Sequence, residues 1–114
     1  MNSKLFFQTL LLLFLLIACS KNGGNSGDKI AYEVKANTGT FWVQYLDETG
    51  SQTQTNSTSN TWRIEFINKA GKPRQLLLSA VSGVSTLTLS IYVNNNVVKT
   101  SSGNNGDAVE YNLQ

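Results

Sequence analysis

Cys19 is the one residue whose type and position together indicate covalent chemistry. The chain has 114 residues, no histidine and no second cysteine, so Cys19 cannot form a disulfide within the chain. It directly follows Leu16-Ile17-Ala18, at the end of an apolar block that runs from Leu10 to Ile17. We interpret Cys19 as a lipid attachment point, which would hold the rest of the chain at a membrane surface.

The side chains that usually carry out catalysis are scarce. Histidine, the common general base near neutral pH, is absent, and Ser82, Ser85 and Thr58 have only lysines available to activate them. Asp47 and Glu48 are adjacent at a predicted turn, which is typical of capping or solvent exposure rather than of a hydrolytic pair. The segment that follows Asp47 lacks the ligand spacing of a calcium loop. We therefore expect no enzyme activity, no bound metal and no cofactor.

Residues 1–18 have the three parts of a secretory signal peptide: the positive charge of Lys4, the apolar block, and the small residue Ala18 at the cleavage site. The block is shorter than the ~20 residues that cross a bilayer, although an uncleaved anchor helix is the alternative. Leu16-Ile17-Ala18-Cys19 resembles the bacterial lipobox. That resemblance implies diacylglycerol on the Cys19 thiol, cleavage between Ala18 and Cys19, and acylation of the new amine with a fatty acid such as palmitate.

A polar segment separates the signal peptide from the rest of the chain. Ser20 to Asp28 contains no apolar residue, and a flexible linker of this length spans about 15–18 Å. Ser20, rather than aspartate, follows the cysteine, which resembles the sorting signal for the outer membrane in some bacteria. We predict a signal peptide at 1–18, a lipidated cysteine and linker at 19–28, and a folded domain at 29–114. The domain would face the periplasm or the cell surface.

The domain has the alternating pattern of β-strands with one buried face. In the segment from Thr86 to Val93 the apolar residues alternate with polar ones, and the segment from Ile30 to Ala36 does the same. Turns are predicted at Asp47-Glu48-Thr49-Gly50 and at Asn94-Asn95-Asn96, because glycine and asparagine tolerate positive φ. Seven or eight short strands without helical periodicity predict an all-β fold, an immunoglobulin-like antiparallel β-sandwich.

Two polar segments interrupt this pattern. Ser51 to Asn60 consists only of Ser, Thr, Gln and Asn, and we expect a short edge strand near Gln52 to Thr55 followed by a mobile loop. Ser101 to Gly106 is predicted to be a second loop. The last strand runs from Ala108 to Leu113, with Val109, Tyr111 and Leu113 on one side.

The charge of the chain argues against a nucleic-acid partner. Nine Lys and Arg residues against seven Asp and Glu residues give a net charge of +2, without the basic face that phosphate binding requires. Lys69, Lys72 and Arg74 are the nearest approach to a cluster, and their position around Gly71-Pro73 predicts a solvated turn.

Five segments of the predicted domain carry a family resemblance: Tyr32-Glu33-Val34, Val43-Gln44-Tyr45-Leu46-Asp47 running into Gly50, Thr61-Trp62, Leu76 to Ala80, and the hairpin from Ile91 to Lys99. Together they resemble the mycobacterial membrane protein small (MmpS) family. The chain lacks that family's two cysteines, expected near Leu89 and near Tyr111 or Asn112, and has a lipid-anchor motif where the family has a transmembrane helix. The resemblance implies an accessory role beside an RND-type transporter that exports lipids or siderophores.

Trp42 and Tyr92 are the candidate binding residues, because both fall on strand faces that are otherwise polar. An exposed aromatic ring can stack on a sugar or anchor a protein interface, whereas the alternative is that both rings cover the second face of a twisted sheet. The leading hypothesis is a non-enzymatic envelope lipoprotein, a binding or accessory module with an envelope protein as its partner. The alternative is a lipoprotein that binds carbohydrate or a host surface.

Overall fold

The computed structural model describes residues 27–114, which fold as antiparallel β-structure. The predicted signal peptide, Ala18, Cys19 and most of the linker lie outside the described residues. The strands are β1 Lys29–Ala36, β2 Phe41–Leu46, β3 Gln52–Ser57, β4 Thr61–Ile67, β5 Arg74–Val93 and β6 Asn96–Leu113. The all-β prediction is therefore confirmed. No helix in this part of the chain is long and apolar enough to cross a membrane.

Strand β5 pairs with three other strands of the sheet, β1, β2 and β6. Its first half pairs with β2, from Tyr45 beside Leu78 to Trp42 beside Val81, and its second half pairs with β1. Both partners lie along one edge of β5, and β6 follows the opposite edge over almost its whole length. The sheet order is β3-β2-β5-β1-β4. We call β3, β2 and residues 74–81 the first arm, and β4, β1 and residues 86–93 the second arm.

A bulge in β5 separates the two arms. The register with β6 shifts between Val81 and Thr86, so residues 82–85 lie opposite Asn105 alone, whose φ is 68°. An insertion of this kind bends a strand and increases its twist. The Ser85 hydroxyl donates to Asn37 Oδ1 at 2.6 Å. This hydrogen bond connects the bulge to the loop between β1 and β2. The bend therefore curls the sheet so that its arms face each other.

The buried core lies between the arms. Aromatic rings meet across it, with the Tyr32 centroid 5.5 Å from that of Tyr45 and 5.6 Å from that of Phe66, and with Tyr45 5.4 Å from Trp62. The predicted inward residues share this core, which confirms the alternation in β1, β5 and β6. Its buried members are Ile30, Tyr32, Val34, Phe41, Val43, Tyr45, Leu76, Leu78, Ala80, Leu87, Leu89, Ile91, Val109 and Leu113.

The strands are fewer and longer than predicted. The two segments expected around Leu76 and around Leu89 form one strand, because the bulge between them does not end the pairing with β6. The loop predicted at residues 101–106 is wrong, since these residues belong to β6. Backbone hydrogen bonds do not require apolar side chains, and the polar side chains here pair with those of β5. The Ser102 and Thr88 hydroxyls, for example, are 2.9 Å apart.

The turns and the polar edge strand agree with the sequence. Asn94 and Asn95 have φ values of 53° and 72° and join β5 to β6, as Asn tolerance of the left-handed region predicts. Gly50 has a φ of 89° at the end of the predicted turn after β2. The polar segment forms β3, which lies at the edge of the sheet beside β2.

Val34 and Val84 give a matched test of the core. Val34 is 0% exposed in β1, whereas Val84 is 82% exposed in the bulge of β5. Val34→Ala should lower the free energy of unfolding by about 2 kcal/mol, because two methyl groups at ~0.8 kcal/mol each and a cavity term are lost. Val84→Ala should change it by less than about 0.5 kcal/mol. Urea unfolding measures both, and equal effects would contradict this core.

The buried phenol of Tyr32 predicts a loss of stability in alkaline solution. Its hydroxyl donates to the Leu46 carbonyl at 2.7 Å, and burial raises the pKa of Tyr32 from 10.0 to about 12. Between these pH values the folded chain keeps a proton that the unfolded chain has released, so the free energy of unfolding falls as the pH rises.

Tyr32→Phe removes both effects. It should cost about 1 kcal/mol at neutral pH, through loss of the hydrogen bond to Leu46, and its stability should then fall less steeply than that of the wild type above pH 10. Urea titrations at a series of pH values measure the two slopes. Parallel curves for the two proteins would show that Tyr32 keeps an ordinary pKa.

Candidate binding surface

Trp42 lies on the outer face of the first arm. In β2 the side chains of Phe41, Val43 and Tyr45 are buried, and alternation turns Trp42 and Gln44 to the opposite face. Trp42 is 56% exposed. Its cross-strand neighbours are Asn56 of β3 and Val81 of β5, and Val81 is itself 58% exposed. An indole ring and a valine therefore form an exposed apolar pair within a polar face.

A shallow depression of about 230 Å³ adjoins this pair. Its floor includes the backbone of residues whose side chains point into the core, and its walls are outward side chains from three neighbouring strands. The lining residues are Trp42, Val43, Gln44, Gln54, Ser79, Ala80 and Val81. None of the seven is ionisable. The depression therefore offers an aromatic ring, two amides and a hydroxyl, but no acid or base.

Four polar side chains around Trp42 have no hydrogen-bond partner among the described residues. The side chains of Gln44, Gln54, Asn56 and Ser79 make no hydrogen bond to any other residue within 27–114. On the second arm the outward polar side chains bond to one another instead, with Ser90 3.1 Å from Thr100 and Thr86 donating to Asn104 at 3.0 Å. Within residues 27–114, the side chains beside Trp42 thus have donors and acceptors that no other side chain or backbone group uses.

Tyr92 lies on the second arm, away from Trp42. Its hydroxyl donates to Glu33 Oε1 at 3.0 Å, and the Arg63 guanidinium carbon lies 4.7 Å from its ring centroid. The hydrogen bond to Glu33 is the main cause that raises the pKa of Tyr92. Arg63 also lies 3.6 Å from Glu33 and 3.0 Å from Glu65. One face of the Tyr92 ring is therefore covered, and the two candidate residues do not form one site.

The predicted solvated turn at Lys69, Lys72 and Arg74 needs one correction. Lys69 and Lys72 are exposed, and Lys72 Nζ is 3.1 Å from an oxygen of Asp28. Arg74 is half-buried instead, and its Nη1 donates to the Asp47 carbonyl at 3.0 Å and to Asn68 Oδ1 at 2.9 Å. A planar guanidinium has several donors, so it can join two loops.

The carboxylate of Asp47 stabilises the turn after β2. Asp47 Oδ1 accepts from the backbone N–H groups of Thr49 and Ser51, each at 3.0 Å. Hydrogen bonding, first from the Thr49 hydroxyl, lowers the pKa of Asp47. The predicted capping role is confirmed. Among residues 27–114 no group of three or more acidic, histidine or cysteine side chains is placed to hold a metal ion.

The alternation of inward and outward residues in β2 predicted that Trp42 lies on the outer face. It did not predict which residues of the adjacent strands surround Trp42. Gln54, Ser79 and Val81 reach the depression only because β3 and β5 pair with β2 in one particular register, which the sequence does not specify. Cys19 and Ala18, the predicted lipidation and cleavage residues, lie outside the described residues.

Comparison with known protein families found no family model that matches the chain, and comparison with curated proteins found no match. The resemblance to the MmpS family stays a prediction.

Proposed function

We propose that the protein is a non-enzymatic lipoprotein of the bacterial envelope that binds a partner through the outer face of the first arm. The observation that carries this proposal is the exposed pair of Trp42 and Val81 beside the depression. Exposing a large apolar ring in water has no stabilising role, and exposed apolar groups that lie together are typical of interaction sites. The absence of ionisable side chains in the depression supports binding rather than catalysis.

The anchor determines where this binding takes place. In this proposal Cys19 carries the diacylglycerol after cleavage behind Ala18, and the polar linker separates the domain from the lipid head groups. The lipoprotein sits in the outer membrane and faces the periplasm or the cell surface. Two or more acyl chains hold a protein at a membrane stably, whereas one holds it only marginally.

Two occupants of the Trp42 face follow from the sequence. The resemblance to the MmpS family implies an envelope protein, an RND-type transporter that the lipoprotein assists. The alternative is a carbohydrate or a host surface. As architecture we propose an immunoglobulin-like sandwich, which the facing arms and the aromatic contacts between them support.

Metabolic labelling tests the anchor. Cells given a fatty-acid analogue should incorporate it into the wild-type protein and into Ser20→Ala, and the protein should fractionate with membranes. Cys19→Ala should lose the label and leave the membrane fraction, because the thiol that receives the lipid is gone. Equal labelling of wild type and Cys19→Ala would end the lipoprotein proposal.

Affinity purification after mild cross-linking of membranes tests the binding surface. An envelope component should be recovered with the wild-type protein and with Val97→Ala, a control that shortens a 55% exposed valine of β6. Recovery should fall at least about tenfold with Trp42→Ala, the effect of losing an aromatic contact of about 1.4 kcal/mol. Recovery that does not depend on Trp42 would contradict the proposal, and so would the absence of any envelope protein or glycan that binds the domain.

A further inference from the structure

We infer that the depression beside Trp42 binds one ring of a neutral carbohydrate chain. The inference rests on the proposed binding function and names the chemical class of the ligand. Four properties of the depression carry it: an exposed aromatic ring, amide and hydroxyl groups without a partner among residues 27–114, a lining without ionisable side chains, and an open, shallow shape.

The ring of Trp42 supplies the apolar part of such a site. A sugar ring has faces made of C–H groups, which pack flat against an aromatic side chain, and tryptophan offers the largest ring system. Trp42 is 56% exposed, so a ligand can reach its surface without a rearrangement of the core. Val81 lies beside it across the strand pair and extends the apolar surface.

The polar side chains match sugar hydroxyl groups. Gln44 lies in register between Gln54 of β3 and Ser79 of β5, so two amides and a hydroxyl stand in one row across three strands. Each sugar hydroxyl both donates and accepts, and an amide side chain does the same through its NH₂ and its carbonyl oxygen. Because these side chains have no partners among the described residues, a ligand replaces their hydrogen bonds to water and breaks none within this part of the protein.

The absence of charged side chains in the lining favours an uncharged ligand. An anionic ligand, such as a phosphate, a nucleic acid or an acidic sugar, is bound through Lys or Arg. The depression has neither among its lining residues. On the second arm, the guanidinium of Arg63 is already paired with Glu33 and Glu65. The ligand that fits this lining is therefore uncharged.

The open shape of the depression favours one ring of a longer carbohydrate chain over a small molecule that the protein encloses. A depression of about 230 Å³ is smaller than the ~300–1,000 Å³ pockets that enclose drug-sized ligands, and it is open to solvent. On the β6 side its neighbours are small, with Gly106 beside Val81 and Ala108 beside Ser79. A sugar chain can therefore continue across the sheet face. A specific protein interface involves about 20–30 residues on each side, whereas seven residues line this depression.

An array of neutral and anionic oligosaccharides tests the inference with the purified full-length protein in a detergent that has no sugar head group. The wild type and Val97→Ala should bind one or more neutral oligosaccharides. Trp42→Ala should bind at least about tenfold more weakly, and Trp42→Phe should keep part of the affinity because it retains a ring. Gln44→Ala should also weaken binding. Thermal unfolding of each variant verifies that the fold is unchanged.

The outcomes separate the ligand class from the binding function itself. Binding to anionic glycans alone, or binding that Trp42→Ala leaves unchanged, would overturn the inference. If no glycan binds but an envelope protein is recovered from membranes in a Trp42-dependent way, the carbohydrate inference fails and the proposed function stands. If neither glycan nor protein depends on Trp42, both fail.

Discussion

The change of partner along β5 is the constraint on which the rest of the structure depends. One edge of this strand pairs first with β2 and then with β1, and the bulge at residues 82–85 lies between these two segments. The bend brings the two arms face to face and encloses the core between them. It also fixes the site, because Trp42 pairs with Val81, the last residue of β5 before the bulge.

The core and the candidate binding surface use different residues of β2. Tyr45 packs against Tyr32 and Trp62 across the core, whereas Trp42 lies on the other face and contributes no ring to these contacts. Because neighbouring residues of a strand point to opposite faces, the two sets are independent. Substitutions on the outer face can therefore leave the packing of the core unchanged.

Strand faces were predictable from the sequence because alternation alone determines them. The buried side of β1 and of the second half of β5 agrees residue by residue, and so does the outward position of Trp42. Strand ends were not predictable at residues 82–85 and 101–106, where polar and glycine residues indicated breaks but the ladder between β5 and β6 continues. Contacts across strands require the register. The contact of the Arg63 guanidinium with the Tyr92 ring and the pairing of Gln54 with Gln44 could not be predicted from composition.

The position of the bend also relates the site to the proposed anchor. β1 starts near Gly27, where the chain leaves toward Cys19, and ends at Ala36, which pairs with Leu87 beside the bulge. Its eight residues cover about 25 Å at ~3.3 Å per residue. The depression adjoins the bulge, so it lies nearer to the end of β1 at Ala36 than to the end beside the linker. If Cys19 is the anchor, the flexible linker leaves the domain free to turn the Trp42 face toward a polymer in the aqueous compartment.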